Sequence, residues 1–109
     1  MGKGIIKIKD KYLEWSTVWD KPITRGMSLD ELREYIKDKY GSTGLSELPE
    51  RLERVEKYRT SFICDHNLGD TICGNRAGEN ETNISAKKIY QRYCTGKLLR
   101  NGTTLVNRF

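Results

Sequence analysis

Four side chains have the chemistry to hold a metal: Cys64, His66, Cys73 and Cys94. They are the right types for zinc, and Cys64-x-His66 sets two of them close together. The remaining spacing argues against a site, because structural zinc sites take their ligands in close pairs, whereas Cys73 and Cys94 each stand alone. The cysteines read instead as inert, partly buried thiols. Asp65, His66, Asn67, Asp70 and Glu79 have the residue types of a metal-dependent nuclease centre. With one His in the chain, however, a second imidazole ligand is missing, and Asp and Asn in such a segment serve turns. No nucleophile elbow, phosphate-binding loop, dinucleotide fingerprint or paired-histidine helix occurs, and Ser16, Ser28 and Ser61 have no identifiable base. The expectation is therefore no catalytic residue, no metal and no cofactor.

Charge offers a different chemistry. The net charge is +5, and it is uneven: residues 1–27 and 61–109 each carry +3, while residues 28–60 carry -1. Lys7 and Lys9 with Lys3 and Lys11, and later Arg76, Lys87, Lys88, Arg92, Lys97 and Arg100, could form one basic face for phosphate contacts. The competing explanation is that edge strands carry lysine against aggregation and helices carry it for solubility. Trp15 and Trp19, with Tyr12, could stack bases or anchor an interface, although core packing is the more frequent use of such residues. Arg25 and Arg76 each stand beside glycine-containing loops that could present an anion site or simply turn.

The elements that must position these residues follow from periodicity. Residues 4–19 read as two strands turning at Asp10-Lys11, with Leu13, Trp15, Thr17 and Trp19 sharing the core face of the second. Pro22 ends it. Ser28-Leu29-Asp30-Glu31 is a capping box, and Leu29, Leu32, Ile36 and Tyr40 then recur at helical spacing up to Gly41, predicting a helix over 29–40 buried against Trp15. A loop over 41–44 precedes a second helix, with Pro49 in its first turn and Leu48, Leu52 and Val55 along one side. Residues 60–64 suit a short strand or a turn, and Gly69, Gly74 and Gly78 break up the stretch from Leu68 to Gly78. Asn83 or Ser85 caps a third helix that turns Ala86, Ile89, Tyr90 and Tyr93 inward. Residues 97–109 form a C-terminal arm or short strand.

The resulting pattern is α+β: an N-terminal β-hairpin or small antiparallel sheet packed on about three helices, as a single domain over residues 1–109. A mean hydropathy of -0.73 and the lack of a long apolar run exclude a membrane-spanning helix. Three cysteines without a secretory signal point to reduced thiols and a cytoplasmic setting.

One resemblance extends across about residues 12–95. Tyr12-Leu13-Glu14-Trp15-Ser16-Thr17-Val18, Pro22, Gly26-Met27, Tyr35, Tyr40-Gly41, Leu48-Pro49-x-Arg51-Leu52-x-Arg54-Val55, Thr60-Ser61 and Asn75-Arg76-Ala77-Gly78 look like a family of small, uncharacterised bacteriophage-encoded proteins. The resemblance implies an accessory protein in the cytoplasm of an infected bacterial host. Its expected function is non-enzymatic: a macromolecule-binding module whose partner is a host or phage protein, with modulation of a host defence or biosynthetic system as the implied role. Direct DNA or RNA binding by the basic face is the alternative, and a small hydrolase of a phosphorylated substrate around Arg76, Asp65 and Asp70 is the second.

Overall fold

Isoleucines alternating with lysines, followed at once by Tyr12 to Ser16, favour a strand pair because β-branched and aromatic side chains suit a pleated surface. The computed structural model describes residues 3–94, and in it β1 (Lys3–Ile8) and β2 (Lys11–Ser16) form that antiparallel hairpin, with Lys3 opposite Ser16 and Ile8 opposite Lys11. The two-residue turn is Lys9-Asp10, one position earlier than the sequence suggests, with Lys9 in the left-handed region (φ 57°). A short β3 (Lys21–Pro22) adds to β2 and completes a three-stranded antiparallel sheet in the order β1-β2-β3. The fold is α+β, with three helices packed on this sheet.

Both margins of the hairpin are extended by irregular chain. Tyr12 and Met27 exchange backbone hydrogen bonds of 2.8 Å. On the far side of β1, Lys7 N–H donates to the Arg59 carbonyl (3.0 Å) and Ser61 N–H to the Ile5 carbonyl (2.9 Å). Residues 59–61 therefore cover the edge that β1 would otherwise expose, and the stretch 60–64 begins as an irregular bridge to the sheet before it turns away.

Helix α1 (Leu29–Tyr58) starts as its capping box requires: Glu31 N–H donates to Ser28 Oγ, and Ser28 N–H to the Glu31 carboxylate. It is broken once, at Gly41, whose φ of 70° and ψ of -157° no side chain tolerates well. The break is one residue and not the four-residue loop over 41–44; helix resumes at Ser42, so Pro49 lies inside the second half. Gly44 is buried where a Cβ would stand 2.5 Å from Tyr40 Cβ, so the chain closes tightly on itself just after the break.

The remaining elements are α2 (Leu68–Ile72), capped by Asn67, a 3₁₀ turn (Glu79–Glu81) and α3 (Ala86–Cys94), whose first turn is capped by Ser85. They cover the sheet face opposite α1. Ile5 and Tyr12 pack with Met27, Leu32, Ile36, Leu48 and Val55 on one face, whereas Ile6, Ile8, Leu13 and Trp15 pack with Ala77, Ile89 and Tyr93 on the other. The sheet is thus a middle layer, buried on both sides.

That layering corrects three expectations. Trp15 is buried, but on the α3 side, and not against the helix over 29–40. β2 ends at Ser16, where Asp20 N–H donates back to the Ser16 carbonyl (2.7 Å), so Thr17 and Trp19 leave the core face and Trp19 is 57% exposed. Tyr40 is partly exposed because its hydroxyl is directed to a polar partner. The expected arm at 97–109 lies outside the described residues.

Candidate functional site

Glu14 has no exposed surface, although its sequence position reads as the wetter side of β2. Its carboxylate accepts hydrogen bonds from the Tyr35 and Tyr40 hydroxyls, one on each oxygen, and from the Lys39 ammonium at 3.2 Å. Its backbone is held as well: Glu14 N–H donates to Thr24 Oγ1 (3.1 Å), and Ile23 N–H to the Glu14 carbonyl (2.8 Å). A buried carboxylate is costly without partners, and here charge-assisted bonds to three side chains offset that cost. Burial, reinforced by the neighbouring carboxylate, pushes both tyrosine hydroxyls well above their ordinary ionisation range, so they act as donors at any physiological pH. The cluster fastens α1 to the sheet immediately before Gly41.

Tyr40 also borders an open cleft of about 690 Å³ between the second half of α1 and residues 61–63, lined by Lys3, Gly44, Arg51, Arg54 and Phe62 among others. A second cleft of about 700 Å³, lined by Lys57, Tyr58, Asp65 and His66, shares Arg54, Phe62 and Ile63 with the first. The two form one groove, with Ile63 standing between its halves at 80% exposure. The floor is well fixed: Arg54 Nε donates to the Ser61 carbonyl (2.9 Å), and Ile5 N–H to Ser61 Oγ (2.8 Å). Phe62 lies directly over Gly4, where any Cβ would meet the ring at 2.5 Å.

The residues singled out from sequence are distributed differently. Lys7 lies on the α1 face, where its ammonium meets Glu56 at 2.8 Å; Tyr12 donates to the other oxygen of the same carboxylate. Those bonds raise the Lys7 ionisation range and lower that of Glu56. Lys9 stacks over the Tyr90 ring at 4.7 Å on the α3 side. Arg76 is held between Asp20 (4.0 Å) and Glu81 (3.4 Å), and its N–H donates to the Asp20 carbonyl. Arg92 is half-buried, its Nε enclosed without a hydrogen-bond partner among the described residues. Lys87 and Lys88 are exposed in the first turn of α3, and Arg25 is exposed in the loop before α1. Lys7 and the α3 lysines therefore belong to opposite faces of the sheet, and only Lys9 joins the hairpin to the α3 side.

The Asp65 and Asp70 carboxylates serve local turns: Thr71 Oγ1 donates to Asp65 (2.6 Å) and His66 N–H to Asp70 (2.8 Å). Among the described residues, no three His, Cys, Asp or Glu side chains gather in a way that could hold a metal ion. Cys64 and Cys73 are exposed free thiols, and burial pushes the Cys94 thiol up to about 11. Neither the Glu14 cluster nor the groove was visible from sequence. The only signal for the first was Tyr35, Lys39 and Tyr40 on adjacent turns of one helix; for the second there was an isoleucine within an irregular stretch. Compared with protein-family models, curated proteins and solved structures, the chain has no significant match in any of the three.

Proposed function

We propose that the protein is a non-enzymatic binding module that docks on another protein through the groove along the second half of α1. The observation that carries this reading is Ile63, 80% exposed on a floor fixed by hydrogen bonds, with Tyr58 and Phe62 beside it. Apolar and aromatic side chains set in a firm concave surface with a charged rim are what protein interfaces use as anchors. The resemblance of residues 12–95 to small bacteriophage proteins is what suggests the setting, an accessory protein in an infected bacterial cytoplasm whose partner is a host or phage protein.

Direct nucleic-acid binding is the second reading, and one observation favours it: Lys87 and Lys88 stay exposed on α3. Against it, Lys7, Lys9 and Arg76 are engaged within the molecule, which reduces the positive charge free to displace counterions from a polyanion. A salt titration with labelled random DNA and RNA distinguishes the two. The docking reading expects binding no tighter than the non-specific range of about 10⁻⁴ to 10⁻⁶ M at physiological salt. Submicromolar binding that a Lys87→Ala/Lys88→Ala variant loses would reject it in favour of the second.

A further inference from the structure

Among the described residues five large apolar or aromatic side chains remain exposed, and they fall into two groups. Tyr40, Tyr58 and Ile63 line the groove, whereas Val18 (69% exposed) and Trp19 are neighbours in the middle of the turn between β2 and β3. One group is concave and the other convex. The turn is held as firmly as the groove floor: Trp19 N–H donates to Ser16 Oγ (3.2 Å), Asp20 N–H to the Ser16 carbonyl and Arg76 N–H to the Asp20 carbonyl (2.7 Å), with Asp20 in the left-handed region (φ 56°). A tryptophan on such a preorganised turn loses little freedom when it is covered, and Trp is a frequent anchor of interfaces. Both groups also share one end of the sheet, because Lys3, which lines the groove, pairs with Ser16, the residue directly before the turn.

Charge and area decide what covers them. The groove lining carries four basic and four acidic side chains, so it favours neither a polyanion nor a polycation, and residues 17–19 of the turn carry no charge at all. A Trp side chain covers up to ~250 Å², so Trp19 at 57% exposure, with Val18 beside it, offers roughly 200 Å². Seating one such knob in a groove buries about 400 Å² from the two surfaces, the size of a casual contact. A two-fold exchange, knob to groove in both directions, buries about 800 Å², and the side chains around the seam bring it to the roughly 1,000 Å² where weak specific interfaces begin. The common end of knob and groove is what lets one two-fold axis make both contacts.

We propose that the groove's resting occupant is the Val18–Trp19 turn of a second copy of this chain, in a weak reciprocal dimer that a docking partner must displace. This dimer presupposes the docking reading in one respect, that the groove is a protein-binding surface, and adds to it a competitor for the same site.

Sedimentation of the full chain from about 10 µM to about 1 mM covers the affinities such an interface supports. The mass should rise from 12.6 kDa towards twice that value. In NMR spectra of the same series the Trp19 indole N–H and the Ile63 amide should shift together along one binding curve, while the indole of buried Trp15 stays in place. Trp19→Lys and Ile63→Asp each change an exposed side chain, so both should keep the native dispersion, and each should weaken association about tenfold or more. Cross-dependence is the specific sign: Ile63→Asp should make the Trp19 indole indifferent to concentration, and Trp19→Lys should do the same for the Ile63 amide. A chain that stays monomeric up to about 1 mM, or a dimer that either variant leaves at full strength, would overturn the proposal. Neither result touches the docking reading, whose own failure would be that a crosslinker at position 63 captures no protein other than the chain itself.

Discussion

Glu14 joins β2 to α1 through one carboxylate and three side chains, so its neutral replacement reports on the whole arrangement. Glu14→Gln keeps the size but loses the charge-assisted bonds; we expect a stability loss of about 2 kcal/mol, read from urea midpoints at neutral pH. A loss below roughly 0.5 kcal/mol would show that the cluster contributes little. The cysteines provide a second residue-scale check. Cys64 and Cys73 are exposed while Cys94 packs on Gly26, where a Cβ would stand 2.5 Å from Sγ, and burial holds its thiol at about 11. Alkylation of the folded protein at pH 8 should therefore modify two thiols quickly and the third only on unfolding, a difference mass spectrometry reads directly. None of this was legible at Glu14. On a strand covered on both faces the alternation of polar and apolar residues loses its meaning, and one acid among hydrophobic neighbours reads as a solvent-facing position.

At the scale of elements, sequence was most informative where chemistry is local. The capping box at Ser28 and Glu31 is satisfied by backbone and side chains only three residues apart, so it can be read without knowing the fold. Ser28→Ala should cost about 1 kcal/mol. Gly41 marks the end of a helical segment in sequence and structure alike, but the one-residue break and the immediate restart depend on Gly44 lying against Tyr40 and Ile36, a contact made only in the folded molecule. Gly41→Ala should lower stability by about 1–3 kcal/mol, because its backbone is in a region reserved for glycine. Gly44→Ala should also be destabilising, through collision with Tyr40 instead of backbone strain. The side of the sheet that each helix covers was not legible either: the spacing of Leu32 and Ile36 shows that α1 has an apolar face, and only the opposition of Tyr12 to Trp15 decides which face of β2 receives it.

For the molecule as a whole, the sheet buried between α1 and α3 gathers its titratable groups into two sets. Tyr12, Tyr35, Tyr40 and Tyr93 are all shifted upward by burial, as is the Cys94 thiol, so the folded state keeps protons that the unfolded chain releases. Their contribution is complete below about pH 7.5 and falls as cysteine and then tyrosine ionise in the unfolded chain. Glu31 and Glu56 are shifted downward by their hydrogen bonds, so their smaller contribution is present at neutral pH and lost as pH falls through the carboxylate range. Urea midpoints measured from pH 3 to 11 should show a plateau around neutrality and a steeper decline on the alkaline side. A midpoint that rises between pH 9 and 11 would contradict the burial of these hydroxyls.

The same layering separates the two candidate binding surfaces, because the groove lies along the second half of α1 and the exposed Lys87 and Lys88 lie on α3. A photo-crosslinking side chain placed at position 63 or at position 87, in cells that express the protein, tests docking through the groove most directly. Both positions are exposed, so replacement should leave the fold intact. Docking through the groove should give a discrete, nuclease-resistant protein adduct from position 63 and none from position 87. An adduct from position 87 alone, or one that nuclease removes, would contradict it.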